Sequence, residues 1–537
     1  MKLRPGRVAQ SNRGPIRAVP PQKSTPMTFQ APAKGLYTTT ALSDELPGAA
    51  AVLNNWLPTL TGARIRGGSK KKALIAGGAD FVTAFTFKYG GAEKLFMATA
   101  SAIFDMTSPA APPVITAPVL SGMVSGDWSA FQHSNASGSY LIITNGANPR
   151  QVYNGTSWTT PAITFPAGDT TTTAQLSQGW LFKKREFFVK AGTMDAYYLP
   201  TEAISGAAKA FPLGSTFKNG GSLLMGFNWS IESGSGPNEF CVFVTTEGEV
   251  AIFQGSDPDT AGQFTLQGVY QIGKPLGKNA FIKVGGDVLV ATVSGLIPMS
   301  QVLQRSAESL STLSKSRPIE DDWTMAATAV SSGWALTYWP EQKLIFVSFP
   351  DNIVSPDTTF VMNAVTGAWG IIKNWKATCF GSIQGSLFFG SLNGLVWQGD
   401  ITGTDDGKPF QAAYLSQFLT AGTFGQRKEA TLGQMHVKAK EKPKLRLFAR
   451  ADGDDRIPNF SEVTESEEGA SEWDVGLWDV AKWDASSSLF RFEYRQNVRA
   501  AGDTLALGCV VVSGGPFALK VMLDFGTMQV ALGEQSA

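Results

Sequence analysis

The sequence predicts an all-β protein, and three observations predict it. Glycine is abundant, at 57 of 537 residues, and 29 prolines accompany it; this composition marks frequent turns between short strands rather than long helices. Short apolar runs recur along most of the chain. Only one stretch carries the three-to-four residue spacing of an amphipathic helix.

Residues 1–35 come first and differ from the rest. They hold Lys2, Arg4, Arg7, Arg13, Arg17, Lys23 and Lys34, six prolines, and no acid before Asp44. Proline fixes φ and biases its predecessor toward extended geometry. The segment cannot bury enough apolar surface to fold alone, so it reads as an extended basic arm that orders against a partner. Lys2, Arg4, Arg7, Arg13, Arg17 and Lys23 are its candidate subunit or adaptor contacts. Phosphate contact is the competing reading of the same charges; Phe29 is the arm's single aromatic residue, which disfavours base stacking.

The apolar runs occupy 36–419. They are Leu95-Phe96-Met97, Leu141-Ile142-Ile143, Phe187-Phe188-Val189, Val242-Phe243-Val244, Val288-Leu289-Val290, Ile345-Phe346-Val347 and Leu387-Phe388-Phe389, with centres 46, 46, 55, 46, 57 and 42 residues apart. A polar or glycine-bearing turn and a second strand-like run follow most of them, as in Val250-Ala251-Ile252-Phe253 and Leu395-Val396-Trp397. Such pairs read as hairpins. A hairpin every ~45 residues is the period of a four-stranded propeller blade. The expectation is a β-propeller of six or seven blades, with an irregular array of β-sandwiches as the competing arrangement. The helical stretch, Pro298 to Trp323, predicts one short amphipathic helix that lengthens one repeat. Residues 420–537 read as a small separate β domain with a charged loop: 451–484 carry eleven acids against Arg456 and Lys482.

Charge and composition exclude several functions. Lys and Arg number 45 and Asp and Glu 44, so bulk positive charge does not hold this chain on nucleic acid. Without the arm the balance is 38 to 44, a weakly acidic body. Two histidines, His133 and His436, sit in no recognisable catalytic setting and read as strand or turn residues. Cys241, Cys379 and Cys509 are far apart and odd in number, so they read as buried hydrophobes. Asp452-Gly453-Asp454-Asp455 lacks the glycine and glutamate of a calcium loop and reads as a turn. Gly67-Gly68-Ser69-Lys70-Lys71-Lys72 lacks Walker spacing and reads as a basic turn. No cofactor and no metal is expected. The Ser-x-Asp-x-Gly-x-x-Trp box of sialidase-like blades is absent. Met1-Lys2-Leu3-Arg4-Pro5 lacks the apolar core of a secretory signal, and no run approaches the ~20 apolar residues of a membrane span.

One loop motif stands out: Trp473-Asp474, Trp478-Asp479 and Trp483-Asp484 recur every five residues, a step that suits neither a helix face nor a strand face. Self-packed tryptophan lids over the β domain are the plainer reading. The functional one makes Trp473, Trp478, Trp483, Asp474 and Asp479 a gate or fibre contact.

Several segments resemble a known family. They are Asn55-Trp56-Leu57-Pro58 through Arg64-Ile65-Arg66-Gly67-Gly68, Gly91 through Thr99, Thr246 through Gly255, Ile272 through Gly277, and Arg317-Pro318-Ile319-Glu320-Asp321. Together they resemble the tail nozzle or hub proteins of short-tailed bacteriophages, over most of 35–400. The resemblance implies a propeller body, a homohexamer below a tail adaptor, and retention and conduction of double-stranded DNA without sequence-specific binding. It implies further contact with a tail fibre or needle, assembly in the host cytoplasm, residence in the virion tail, no stable membrane insertion and no enzymatic turnover. The competing function is a carbohydrate-binding or depolymerising propeller acting on the host envelope. An assembly factor absent from the finished particle is a third.

Overall fold

Each of the seven apolar runs forms the second strand of an antiparallel sheet. The computed structural model describes residues 24–39, 46–232, 237–303, 307–349, 358–420, 425–465 and 489–535. Within them blade 1 comprises Phe81–Tyr89, Ala92–Thr99, Ala102–Asp105 and Leu120–Ser121. Blade 2 comprises Ser129–Asn135, Gly138–Thr144, Gln151–Tyr153 and Trp158–Thr159. Blade 3 is built from Leu176–Phe182, Arg185–Lys190, Asp195–Tyr198 and Lys209–Pro212, and blade 4 from Leu223–Glu232, Pro237–Thr245, Glu249–Gly255 and Phe264–Gln271. Blade 5 has three strands, Phe281–Val284, Asp287–Thr292 and Gly295–Pro298. Blade 6 holds Ala335–Trp339, Leu344–Ser348, Thr358–Asn363 and Trp369–Lys373. Blade 7 takes Ala377–Ile383, Ser386–Ser391 and Leu395–Thr402 from late in the chain and closes with Gly68–Ile75 from before blade 1.

The second strands are buried on both faces, which is why they read as continuous apolar runs instead of alternating ones. Successive side chains point to opposite faces, and each face packs on a different neighbour. In blade 2, Leu141 and Ile143 join a core with blade 1 residues such as Phe96, while Ile142 joins a core with Phe188 of blade 3. Similar shared cores link blades 3 and 4, 4 and 5, and 6 and 7. Leu289 of blade 5 and Ile345 of blade 6 lie in one large core, and Phe388 of blade 7 packs with Leu95 and Met97 of blade 1. The circle of neighbours therefore closes, and among the described residues it contains seven blades. This is the arrangement of a β-propeller.

A second region consists of two facing sheets. One joins Gln426–Ala439, Phe490–Gly502 and Val521–Gln535 to Ser24–Phe29, Trp56–Pro58 and Ala63–Ile65. The other joins Phe410–Ser416, Leu445–Ala451, Val463–Glu465 and Leu505–Gly514 to Gly35–Leu36 and Ala49–Asn54. The second sheet continues into blade 6, because Gly35 pairs with Trp369 and Asn54 with Ile371.

Strand pairing thus crosses the boundaries expected at 35/36 and 419/420. Ser24–Phe29, the end of the expected arm, pairs along Gly526–Ala531, and residues 1–23 lie outside the described residues.

The expected single helix is broken. Met299–Val302 and Ala307–Leu310 are one-turn helices, 3-10 turns follow at Ser311–Leu313 and Arg317–Ile319, and the longest helix is Glu320–Ala329. Serine side chains compete for the backbone here: Ser316 Oγ accepts from Leu296 N–H at 3.0 Å. Pro318 removes a donor. Glu320, Asp321 and Asp322 then supply the acids that favour a helix start. The expected basic turn at Gly67–Lys72 is mostly the closing strand Gly68–Ile75. Its glycine is obligatory, since a Cβ on Gly68 would lie 1.9 Å from the Thr404 carbonyl oxygen.

Candidate functional site: the axial cavity

The first strand of each blade is innermost, and these strands line one cavity of about 720 Å³ at the propeller axis. Its walls are largely apolar, with Val82, Phe131, Leu181, Phe281 and Tyr338 from five blades. Several polar groups are already committed to the scaffold. Gln178 Nε2 donates to Gly226 O and its Oε1 accepts from Gly226 N–H, both at 2.9 Å. Asn279 Nδ2 donates to Asp127 Oδ1 and Trp128 O. Thr337 faces the cavity beside Tyr338.

Lys283 is the only charged side chain among the lining residues. It lies on the inner strand of blade 5, and its ammonium donates to Asn228 Oδ1 of blade 4. Its side chain is exposed at the cavity lining, and the protein around it pushes the ammonium down to about 8. Nothing in the run Phe281-Ile282-Lys283-Val284 marks that lysine as axial unless the strand is first placed as the inner one of its blade, so sequence reasoning missed it.

A second cluster is structural. His133 Nδ1 lies 2.7 Å from Glu186 Oε1, and Arg150 Nη2 donates to Glu186 Oε2 at 2.5 Å, with all three side chains fully buried. Arg150 also donates to Ile204 O at 3.1 Å. His133 is a strand residue as expected, but it belongs to a charged staple between blades 2 and 3 that its local sequence does not announce. His436 lies on Gln426–Ala439 and stacks on Phe525 at 4.3 Å.

A third cluster joins the two regions. Arg66 Nη2 donates to Asp405 Oδ2 at 2.7 Å, Arg66 Nη1 to Asp405 Oδ1 at 3.0 Å, and Arg66 Nε to Asn55 Oδ1 at 2.9 Å. The guanidinium lies 3.8 Å from the Phe410 ring centroid. Asn55 Oδ1 also accepts from Lys373 N–H of blade 6, and Asn55 Nδ2 donates to Gln411 O.

Asp452 takes a turn conformation with φ +50 and accepts from the backbone N–H groups of Asp503 and Thr504. Asp454 is held down at about 2 by its side-chain and backbone hydrogen bonds from Arg456. The three cysteines are free and buried, and burial pushes the Cys379 thiol up to about 12. Lys2, Arg4, Arg7, Arg13, Arg17 and Lys23 lie outside the described residues, as do Trp473, Trp478, Trp483, Asp474 and Asp479. Among the described residues no helix is long and apolar enough to cross a membrane.

No family model and no curated protein matches the chain. Solved structures similar to it include the Swd1 β-propeller domain of Myceliophteria thermophila, at 9% identity and TM-score 0.37, covering 62% of this chain and 100% of that one. BamB from Moraxella catarrhalis is 13% identical at TM-score 0.32, covering 64% and 93%. The computationally designed Ika8 protein is 9% identical at TM-score 0.34, covering 62% and 99%. At these scores the description of the fold rests on the strand pairing and shared cores above.

Proposed function

We propose that the chain is a structural subunit of a bacteriophage tail nozzle. Six copies close a ring below the tail adaptor, retain the packaged genome and conduct double-stranded DNA during ejection. The observation that carries this reading is where the resembling residues sit. Asn55 and Arg66, in one of the segments that resemble tail nozzle proteins, form the buried joint between propeller and two-sheet region. The neighbouring sheet runs from blade 6 into that region without interruption. A continuous hydrogen-bonded sheet suits a wall that must hold its shape under load.

The reading also constrains the route of the DNA. A duplex presents one charge per ~1.7 Å of its axis and grooves ~12 and ~6 Å wide. A 720 Å³ axial cavity lined by side chains does not admit it, so the conduit lies between copies. A heterologous contact that closes by rotation builds such a ring. The weakly acidic balance outside the arm, 38 bases to 44 acids, lets a polyanion pass without sticking. In this reading the basic arm staples neighbours or the adaptor, and the Trp-Asp loop meets the fibre or gates the pore.

Negative-stain imaging of the purified chain, alone and with its adaptor, tests the proposal. A sixfold ring with a duplex-wide pore is expected. A monomer in both preparations that releases reducing sugar from host polysaccharide would overturn it in favour of the envelope-degrading reading.

A further inference from the structure

We infer that the axial cavity is a binding site for a small organic anion, a carboxylate, sulfonate or phosphate ester on an aromatic or aliphatic body, with Lys283 as its counter-ion. The inference does not depend on how many copies assemble.

The cavity has the dimensions and composition of a ligand site. Its volume of about 720 Å³ falls within the ~300–1,000 Å³ of small-molecule pockets, which are mostly apolar with few polar groups. Phe131, Leu181, Phe281, Ile282 and Tyr338 provide the apolar walls, and the buried Phe227 ring backs Phe281 at 5.1 Å. Lys283 provides the one charge. An ammonium has three donors; Asn228 occupies one and leaves two for a ligand.

Among the side chains that the structure describes, no carboxylate pairs with this cation, and its pKa carries no contribution from an opposite charge. The titratable groups with described side chains on the elements around it are engaged or neutral. Asp287, on the paired strand, accepts from Ser300 Oγ at 2.6 Å and from Ser300 N–H at 3.0 Å. Glu239 pairs with Lys183 at 2.6 Å, and Asp127 lies 3.4 Å from Lys278. Tyr338 and Cys379 complete the set. Lys283 is exposed where it lines the cavity, so a ligand there reaches its ammonium directly. A bound anion restores the missing counter-charge, whereas a cationic or neutral ligand does not.

The test uses the full chain and the fluorescent aromatic anion anilinonaphthalene sulfonate, displaced by phenyl phosphate. Lys283→Met should weaken binding by about tenfold or more, the worth of a charge-assisted contact. Wild-type affinity should hold at neutral pH and fall as pH rises past about 8, where the free ammonium loses its proton. Lys283→Arg keeps its charge and should bind without that fall. Unchanged affinity in Lys283→Met, or a wild-type profile flat from neutral pH to pH ~10, overturns the inference. If Lys283→Met fails to fold, the wild-type and Lys283→Arg pH profiles decide it alone.

Discussion

The propeller and the two-sheet region bury apolar surface by different rules. In the propeller, short second strands are buried on both faces and each shares its two faces between neighbouring blades. In one sheet of the two-sheet region the strands are long, fourteen residues at Gln426–Ala439 and thirteen at Phe490–Gly502, and alternate between core and outer face, while Leu505–Gly514 of the other sheet is buried throughout. The propeller is assembled mostly from consecutive hairpins. The two-sheet region draws its strands from both ends of the chain, with Ser24–Phe29 paired to Gly526–Ala531. Contacts this distant in sequence form late, because loop closure precedes their reward. The difference teaches an order: the propeller can grow blade by blade, but the two-sheet region is complete only after the last strand is made.

Polar contacts sharpen the contrast. Removing one partner of a fully buried ion pair leaves an uncompensated charge, at a cost of about 3–5 kcal/mol. Glu186→Ala strands both Arg150 and His133 in the propeller, and that full range is expected in denaturant unfolding. The outer face of the two-sheet region offers the counterpart, Arg491 to Asp524 at 2.7 Å with the arginine 57% exposed. Arg491→Ala should cost no more than about 1 kcal/mol. Equal losses would mean that water reaches the Glu186 staple.

The next test asks whether the regions are energetically separate. Met528 is buried in the core of the two-sheet region, and Met528→Ala should cost about 2–5 kcal/mol. Hydrogen exchange should then accelerate in Thr358–Asn363 and Trp369–Lys373 of blade 6, because their sheet continues into that region. Leu176–Phe182 of blade 3 lies across the propeller and should keep its protection. Acceleration confined to the two-sheet strands would show that the shared sheet does not transmit the loss.

Legibility in the sequence followed the same division. All seven apolar runs lie on blade second strands, and their partners, such as Val250–Phe253 and Leu395–Trp397, lie on third strands. They were readable because burial on both faces leaves an unbroken apolar signature. Blade count was not, since the strand that completes blade 7, Gly68–Ile75, comes from before blade 1 and carries three consecutive lysines. The two-sheet strands at Ser24–Phe29 and Ala49–Asn54 were hidden for a similar reason: a strand's partner hundreds of residues away leaves no local trace. Lys283 and the Glu186 staple were invisible because their meaning is set by neighbours on other blades.

The smallest effect separates two carboxylates with the same lowered pKa. Asp169, beside blade 3, is held at about 2 by the Thr171 hydroxyl, the Tyr197 hydroxyl and the Thr171 N–H. Asp454, in the two-sheet region, is held at about 2 by Arg456, itself 84% exposed. Both pKa values lie below the ordinary ~3.9. Each group therefore contributes stability that is present above that ordinary value and is lost as pH falls through about 2. The donors differ, however: neutral hydroxyls for one, chiefly an exposed cation for the other. Salt screens the second far more than the first, as the Debye length shrinks from ~10 Å at ~0.1 M to ~3 Å at ~1 M. NMR titration between these salt levels should move the onset of Asp454 protonation toward the ordinary carboxylate range and leave that of Asp169 in place. Arg456→Gln should reproduce the salt effect on Asp454 without salt. A matching response from Asp169 would show that Lys190, 3.9 Å away, and not the hydroxyl pair, holds its charge.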